Sequence, residues 1–447
     1  MSGQSRSGSL YRRAVRVLPG GVSRNAVLRR PYPIYAASGA GCHLTDVEGV
    51  RRLDFSNNMA SLIHGHAHPA IVRAVEEQVR RGTAFTLATE VEVEFAEHMV
   101  GRSDSFDMVR FVNSGTEAVM CCIKAARAFT GRPMIAKVEG AYHGLYDYAE
   151  TSQTATPANW GDPDRPASVP VCAGTPASAL AEVVVLPFND PARAVALLDG
   201  HAERIACVLL DPMPHRVGLA PATKAFVGAL HRWTRANGAL LVFDEVITFR
   251  CGYGGAQERY AVRPDLTAMG KIIGGGFPIG AIAGRRGVME VLDPLRSPVL
   301  FPHSGTFSAN PVSMAAGLAA MRLFDRAEVD RLNRLGALAR ERIAGVIAEV
   351  GVPACVTGAA SMFRLHMKPE PPRDYRAAYP SPREAQAAGA LVDALFRAGV
   401  MLIGTCTGAL STPMTEREID ALIDALRPAL RAVAPMLDAP RAAAHGG

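Results

Sequence analysis

Residues 240–276 read LLVFDEVITFRCGYGGAQERYAVRPDLTAMGKIIGGG, and this stretch decides the fold. It opens with an apolar run that ends at Asp244, which is typical of a buried strand in a parallel sheet. Open α/β sheets bind their ligands outside the carboxyl ends of the strands, where this aspartate would lie. Lys271 follows in an apolar setting, just before three glycines. A poorly solvated lysine has a lowered pKa, and its neutral amine can form a Schiff base.

Lysine is rare in this chain, which makes Lys271 informative. Lysine and arginine together number 48, yet only five of these residues are lysines. The other four are Lys124, Lys137, Lys224 and Lys368. An amine kept between Met-Gly and Ile-Ile in so arginine-rich a chain indicates a chemical role.

The composition restricts the class of protein. The chain has 447 residues, enough for a sizeable core and about two domains, and 49% of the residues are apolar. Its net charge of +6 comes from dispersed arginines, so nucleic-acid binding is not expected. The first residues, MSGQSRSGSLYRR, contain no apolar segment of the kind found in secretory leaders, and we expect no membrane span because no apolar run is long enough. The eight cysteines are scattered without a C-x-x-C pair, which disfavours a disulfide framework and favours a reducing cytoplasm.

Residues 85 to 310 alternate between apolar runs and amphipathic segments. The runs lie at 108–112, 134–138, 183–187, 205–210, 239–243 and 280–283. This alternation predicts an α/β fold with a mainly parallel central sheet and helices on both faces. Residues 150–178 interrupt the pattern with many Pro, Thr, Ser and Gly residues, and we expect a mobile lid there.

The two ends of the chain have a different pattern. Residues 1 to about 9 are small and polar, which indicates disorder, and residues 31–60 read as short strands with a hairpin turn at Asp46 to Gly49. Beyond residue 315 we predict a smaller α+β domain. Its elements would be a helix at 314–350, strands near 353–366, a helix at 382–398, a strand at 400–403, a helix at 416–434 and a tail at 438–447. The predicted division is 1–60 (an N-terminal part of the small domain), 61–314 (the large domain) and 315–447 (the C-terminal small domain).

A possible phosphate site lies at residues 113–116, between a strand and a helix. Ser114 and Glu117 have the spacing of a capping box, so one interpretation is simply a well-capped helix. The alternative is that the turn Ser114-Gly115-Thr116 offers free N–H groups and hydroxyls to a phosphate. No P-loop is present, and no Gly-x-Gly-x-x-Gly motif opens a helix, which disfavours a nicotinamide dehydrogenase.

Further side chains suggest what such a phosphate would belong to. Tyr142 and His143 follow the apolar run MIAKV, and the tyrosine is either a core residue or a stacking partner for a flat ring. Asp244 would be costly to bury unless it met a cation, such as a protonated pyridine nitrogen. A metal site at the histidines of HGHAHP (His64, His66 and His68) is disfavoured because no carboxylate or cysteine is grouped with them. Together, a phosphate, a flat ring, a ring nitrogen and an aldehyde partner for Lys271 describe pyridoxal 5′-phosphate.

Six motifs extend this interpretation to a family resemblance. NSGTEA, EGAYHG, FDEV, YGGAQE, PDLTAMGKIIGGG and HSGTFSANP occur in this order. With them, the chain resembles the class III aminotransferases of fold type I over residues 10 to about 430. Within that family it is most similar to glutamate-1-semialdehyde 2,1-aminomutases and β-amino-acid aminotransferases. The resemblance implies the fold of pyridoxal-phosphate-dependent transferases, a homodimer with shared active sites, and small-molecule amino donors and keto acceptors.

The resemblance also implies a role for individual residues. Lys271 would carry the cofactor as a Schiff base, and Asp244 would pair with the pyridinium nitrogen. Val246 and Tyr142 would contact the two ring faces, with His143 beside them. Ser114, Gly115 and Thr116 would hold the phosphate, and Thr306 would reach the phosphate of the partner subunit's cofactor.

Departures from the family pattern concern the ring oxygen and the substrate. In LLDPMPHRVG, Asp211 stands where the family has Glu, and His215-Arg216 stands where it has Gly-Asn. Three substrate residues are implied. Arg24 matches a carboxylate-binding position, Met59 replaces a large aromatic, and Cys406 lies in a segment where relatives show Arg or Glu.

The missing charge near Cys406 favours one function over its alternatives. Without that Glu an aminomutase lacks an expected partner, so we predict an aminotransferase that moves an amino group from an amino acid or amine to a keto acid. The alternatives are a glutamate-1-semialdehyde aminomutase and a non-catalytic protein that binds pyridoxal phosphate.

Overall fold

A computed structural model describes residues 5–438, and within them sixteen strands form four sheets. The strands are β1 (Ala36–Ala40), β2 (His43–Asp46), β3 (Arg51–Asp54), β4 (Met108–Val112), β5 (Met134–Val138), β6 (Gly161–Asp162), β7 (Arg165–Pro166), β8 (Val183–Leu186), β9 (Ile205–Leu210), β10 (Leu240–Asp244), β11 (Leu266–Gly270), β12 (Gly280–Gly284), β13 (Cys355–Thr357), β14 (Met362–His366), β15 (Val400–Met401) and β16 (Thr407–Ala409). The central sheet has seven strands in the order β4-β12-β11-β10-β9-β5-β8.

The central sheet is mainly parallel, as the alternating sequence predicts. Only β12 runs against its neighbours, pairing antiparallel with β4 and β11. Each of the six apolar runs forms a strand. The seventh strand, β11, was not among them because LTAMG is short and contains threonine and glycine. Every residue of β9, β10 and β11 is buried, which explains why the runs do not alternate with polar residues.

Helices cover both faces of this sheet. The longer helices of the described residues are Arg6–Ala14, Pro69–Arg81, Glu90–Val100, Gly115–Thr130, Pro191–Asp199, Lys224–Asn237, Pro311–Leu323, Arg326–Val350, Pro382–Arg397 and Glu416–Asp438, and short ones are Asp147–Glu150, Ala177–Ala181, Arg286–Met289 and Tyr375–Ala378. Alternate side chains of β10 enter two separate cores. Leu241 and Phe243 pack with Phe226 on one face, and Val242 packs with Ala118 on the other.

The small domain joins both ends of the chain. Its first sheet has the order β1-β2-β3-β15, in which Leu53 of β3 pairs parallel with Val400 of β15. A second sheet, β13-β14-β16, is antiparallel. The hairpin predicted at Asp46 to Gly49 connects β2 to β3. The exact domain boundaries stay a prediction. None of the helices within residues 5–438 combines the length and apolarity needed to cross a membrane.

Two expectations about helices and termini are wrong. The helix expected at 314–350 is two helices, because Asp325 caps a new one by accepting from the Glu328 N–H at 2.9 Å. Residues 5–9 are not disordered: Ser5 caps the first helix, and Ser7 donates from its N–H and hydroxyl to the Glu48 carboxylate, each at 2.8 Å. Residues 1–4, and 439–447 of the predicted tail, lie outside the described residues.

Parts of the segment 150–178 are held by hydrogen bonds, and the mobile lid that its composition suggests stays a prediction. The Ser152 hydroxyl donates to Ala167 at 2.7 Å and accepts from the Val169 N–H at 2.8 Å. The Tyr375 hydroxyl, from the small domain, donates to the Ala155 carbonyl at 2.7 Å.

Candidate active site

The turn after β4 has the structure expected of an anion-binding helix start. The Ser114 hydroxyl accepts from the Glu117 N–H at 3.1 Å, which confirms the predicted cap. The Glu117 carboxylate accepts a hydrogen bond from the Asn113 N–H at 2.7 Å. In a standard capping box the donor would be the N–H of the cap residue itself, which here is Ser114. A Cβ on Gly115 would lie 2.8 Å from Val246, so only glycine lets the turn approach the end of β10.

Asp244 lies at the carboxyl end of β10 and is nearly buried. Its Oδ2 atom is 2.7 Å from His143 Nδ1, and its Oδ1 atom accepts from the Val246 N–H at 3.0 Å. Burial lowers the pKa of His143 despite the adjacent carboxylate, so the imidazole is neutral and donates from Nδ1. Its Nε2 atom is buried without a hydrogen-bond partner among residues 5–438. The histidine therefore orients the Asp244 carboxyl group through this hydrogen bond.

Lys271 follows β11 directly, and its side chain reaches the same space. Burial lowers the pKa of its amine, and this outweighs the opposing effect of the Asp244 and Asp211 carboxyl groups. Within the described part of the chain, the amine makes no hydrogen bond or ion pair. Its backbone φ is +49°, a left-handed conformation that costs a non-glycine residue about 1–3 kcal/mol. Such strain is typical of functional sites, where the surrounding structure holds a side chain in place.

Asp211 and Tyr142 complete the wall around this amine. Burial, and then the charge of Asp244, raise the pKa of Asp211 well above its usual value. The Tyr142 ring lies edge-on to His215, with ring centroids 6.0 Å apart. The Arg216 guanidinium carbon lies 5.5 Å from the Tyr142 ring centroid.

These groups enclose one cavity of about 550 Å³. Nine of the twelve predicted site residues line it: Arg24, Ser114, Gly115, Thr116, Tyr142, His143, Asp244, Val246 and Lys271. At its mouth the Arg24 guanidinium donates to Asn58 Oδ1 at 2.7 Å. The cavity thus combines an amine whose pKa is lowered by burial, a carboxyl group at a strand end, an aromatic ring and a helix start.

The family model for aminotransferase class-III matches residues 25–430. The chain belongs to the class-III aminotransferases. It is 42% identical to a glutamate-1-semialdehyde 2,1-aminomutase of Methanothermobacter thermautotrophicus over 83% of this chain and 86% of that protein. Its fold matches an omega-transaminase from Sphaerobacter thermophilus with a TM-score of 0.94 and 48% identity, over 97% of this chain and 98% of that one. A transaminase with pyridoxal phosphate bound matches with a TM-score of 0.90 and 43% identity, over the same shares of the two chains.

Class-III aminotransferases use pyridoxal 5′-phosphate, and the cavity fits this cofactor. Lys271 offers an amine that has a lowered pKa and no polar partner among residues 5–438, so it could react with the aldehyde of the cofactor. Asp244, oriented by His143, would hold the proton on the ring nitrogen. The turn from Ser114 to Thr116 would hold the phosphate through N–H groups at the helix start.

Three predicted residues do not line the cavity. Met59 lies in the wall of a neighbouring cavity of about 520 Å³, which also contacts Arg24. Cys406 is fully buried, and its thiol donates to the Ala388 carbonyl at 3.4 Å. Thr306 is exposed on the surface of this chain, and its contact with a partner subunit stays a prediction.

Other features of the site were missed by the sequence interpretation. The backbone from Asn57 to Ala60 forms one left-handed turn, with φ between 45° and 64°. The Asp54 carboxylate holds its start by accepting from the N–H groups of Ser56 and Asn57 at 2.8 and 3.0 Å. The turn places Asn58 in the cavity wall. The adjacent asparagines were the only available signal, since asparagine tolerates this conformation.

Proposed function

We propose that this class-III aminotransferase catalyses transamination between two molecules, an amino acid or amine and a keto acid. The observation that carries the proposal is the position of Cys406. Its thiol bonds the Ala388 carbonyl within the small-domain core, so this C-terminal position presents no carboxylate to the substrate. Of the residues that line the described cavity, only Asp211 and Asp244 are acidic, and both lie near Lys271. An intermediate with two amino groups would therefore lack a carboxylate partner remote from the lysine.

The side chains around Lys271 support the proton transfers of a transaminase. When bound, the cofactor supplies an electron sink for breaking the C–H bond of the amine-bearing carbon. The Lys271 amine, whose pKa burial lowers, would take the proton from that carbon and return it to a neighbouring atom. Asp244 would keep a proton on the ring nitrogen, while His143 holds the carboxylate in position. Tyr142 and Val246 restrict the two ring faces.

The comparison with the omega-transaminase supports the same proposal. That protein is 48% identical to this chain over nearly the whole length of both.

A second candidate, an aminomutase, is favoured by the 42% identity to a glutamate-1-semialdehyde 2,1-aminomutase. In that reaction the amino group moves within one molecule, and no external keto acid is consumed. Arg24 in the cavity wall could serve either reaction by binding a substrate carboxylate.

A paired assay distinguishes the two functions. The purified protein, loaded with pyridoxal phosphate, is mixed with single α-, β- and ω-amino compounds, and the absorbance of the cofactor is followed for conversion to its amino form. Conversion by monoamines, reversed by a keto acid, supports the transaminase. A parallel sample receives glutamate-1-semialdehyde alone. Rapid formation of 5-aminolevulinate without a keto acid would overturn the proposal in favour of the aminomutase. The Lys271→Ala variant is the control for uncatalysed conversion in both arms.

A further inference from the structure

Two arginines beside the cavity lack the partners that buried arginines have elsewhere in this chain. Arg216 follows β9 and lies against the Tyr142 ring, and Arg364 projects from β14. Arg364 donates through Nη1 to the His215 carbonyl. The Nε atoms of both arginines are buried without a hydrogen-bond partner, and among residues 5–438 neither guanidinium forms an ion pair.

Other buried arginines show that this is not the rule here. Arg102 is buried and donates from Nε, Nη1 and Nη2 to the carbonyls of Tyr253, Met321 and Phe324, at 2.8 to 3.1 Å. Arg250, also buried, bonds the Ser361 hydroxyl from Nε at 3.0 Å and backbone carbonyls from its other nitrogens. Buried polar atoms are normally paired, so two unpaired Nε atoms in neighbouring arginines are a feature that the fold alone does not explain.

The local charge also favours an anion. Burial, and then the charge of Arg216, lower the pKa of Arg364. Burial, and then the charges of Arg216, Lys271 and Arg364, lower the pKa of His215 to about 3 and keep its imidazole neutral. The two guanidinium groups thus lie close to one neutral imidazole. Both arginines are only partly buried as whole residues, although neither lines the cavity of about 550 Å³.

Arg364 lies next to the segment 405–407, which the sequence assigns to substrate binding. Arg364 of β14 is the register partner of Thr407 of β16, next to Cys406. The guanidinium also opposes the effect of burial on Cys406, whose pKa is raised to about 12. A neighbouring strand therefore supplies a cation beside the segment 405–407, which has no charge of its own.

We propose that Arg216 and Arg364 bind a carboxylate of the substrate, at a position separate from Arg24. Arg24 bonds Asn58 at the cavity mouth, whereas the pair lies against Tyr142 and His215. Two separate cationic positions fit a substrate with two carboxylates, such as a dicarboxylic keto acid acting as amino acceptor. This inference rests on the proposed transaminase function, because an acceptor is needed only there.

Equilibrium binding tests the pair without requiring turnover. Calorimetric titration of the pyridoxal-phosphate-loaded protein with glutarate and with n-butyrate should show tighter binding of glutarate. Arg216→Gln and Arg364→Gln should each weaken glutarate binding about tenfold or more, because each removes a charged hydrogen-bond donor. Butyrate binding should change little. Arg342→Gln is the matched control, since Arg342 pairs with Glu416 and Asp420 on the surface.

A second variant controls for misfolding. The outcomes also distinguish a failure of the carboxylate-binding inference from a failure of the proposed transaminase function. Arg364→Lys keeps the charge but loses the planar fork, so it should bind glutarate with intermediate affinity at unchanged cofactor content. Equal affinity of the wild-type protein for glutarate and butyrate, or Gln variants that bind glutarate normally, would overturn the inference while the transaminase proposal stands. Preferential binding of glutarate by a protein that transfers no amino group between molecules would instead defeat the proposed function.

Discussion

At the scale of single residues, burial and charge act in opposite directions on Lys271. Removal from water disfavours its ammonium form, whereas Asp244 and Asp211 favour it, and burial has the larger effect. The lysine is therefore more nucleophilic near neutral pH than an exposed lysine would be.

Replacing Lys271 by alanine should abolish covalent attachment of the cofactor. Borohydride reduction of the wild-type protein with pyridoxal phosphate, followed by peptide mapping, should place the label on Lys271. The exposed Lys224→Ala variant should be labelled as strongly as the wild type. Labelling of another lysine in Lys271→Ala at the wild-type rate would contradict the assignment.

The pH dependence of cofactor attachment follows from the direction of the pKa shift. Below its pKa the Lys271 amine is protonated and unreactive, and that pKa lies below the usual 10.5. The rate at which apoprotein combines with pyridoxal phosphate should therefore fall as pH drops, but its midpoint should lie below that of N-α-acetyl-lysine measured alongside. Coinciding midpoints would show that burial does not activate this amine.

Asp244→Asn should reduce turnover about a hundredfold or more, because an amide cannot hold the proton on the ring nitrogen by its charge. The fold should be retained, since the side chains are nearly the same size. Single-turnover kinetics at saturating donor measures the change, with the cofactor content of each sample determined. A near-native rate for the Asn variant would remove this carboxylate from the mechanism.

Most of this chemistry could be predicted from the sequence because it lies at the ends of strands. Asp244 and Lys271 each follow a buried run, and such ends meet at one edge of a parallel sheet. The sequence carries no comparable signal that Arg216 and Arg364 lie close together. They are far apart in the chain, and only the packing of β14 near the loop after β9 brings them together.

At the scale of elements, two glycines differ in whether the structure has room for a side chain. Gly144 has φ of +91°, and a Cβ there would lie 2.5 Å from Thr116 Oγ1 in the phosphate turn. Gly144→Ala should lower the free energy of unfolding by about 1–3 kcal/mol and weaken cofactor binding. Gly345→Ala is the control, because Gly345 lies in the Arg326–Val350 helix with nothing within 4 Å of the added Cβ.

Chemical denaturation and equilibrium dialysis of pyridoxal phosphate measure both effects. Gly345→Ala should be neutral or stabilising by up to about 1 kcal/mol. Equal behaviour of the two variants would mean that the phosphate turn tolerates displacement.

The sequence predicted elements where the hydrophobic pattern was strong and missed those fixed by side-chain contacts. The limits of the helix Pro69–Arg81 are marked in the sequence, because Pro69 starts it and Gly82 follows it. The left-handed turn at 57–60 was missed because distant contacts hold it, including the bond from Asn57 Nδ2 to the Ala409 carbonyl.

At the scale of the whole molecule, an exposed segment indicates where a second subunit would bind. Leu295, Leu300 and Phe307 are 92%, 48% and 58% exposed, close in sequence to Thr306. Exposed apolar residues grouped in this way are typical of an interface. We expect a homodimer in which Thr306 contacts the partner's cofactor phosphate.

Sedimentation velocity should therefore show a dimer, and Phe307→Asp should shift it towards monomer with loss of cofactor. Thr306→Val should keep the dimer but weaken cofactor affinity by about tenfold, as expected for one hydrogen bond to a charged group. A monomer that retains cofactor at full affinity would exclude a shared site.

The pairing of β3 with β15 has a consequence for synthesis on the ribosome. The Leu53 and Phe55 N–H groups donate to the carbonyls of Gly399 and Met401, at 2.8 and 3.0 Å. At roughly 5–20 residues per second, the first strands must wait tens of seconds for the last one to emerge. Until then the edge of β3 is open to wrong partners, such as a neighbouring nascent chain. Nascent chains stalled short of residue 400 should be cut by protease within their first sixty residues, and chains extended past residue 438 should be protected there.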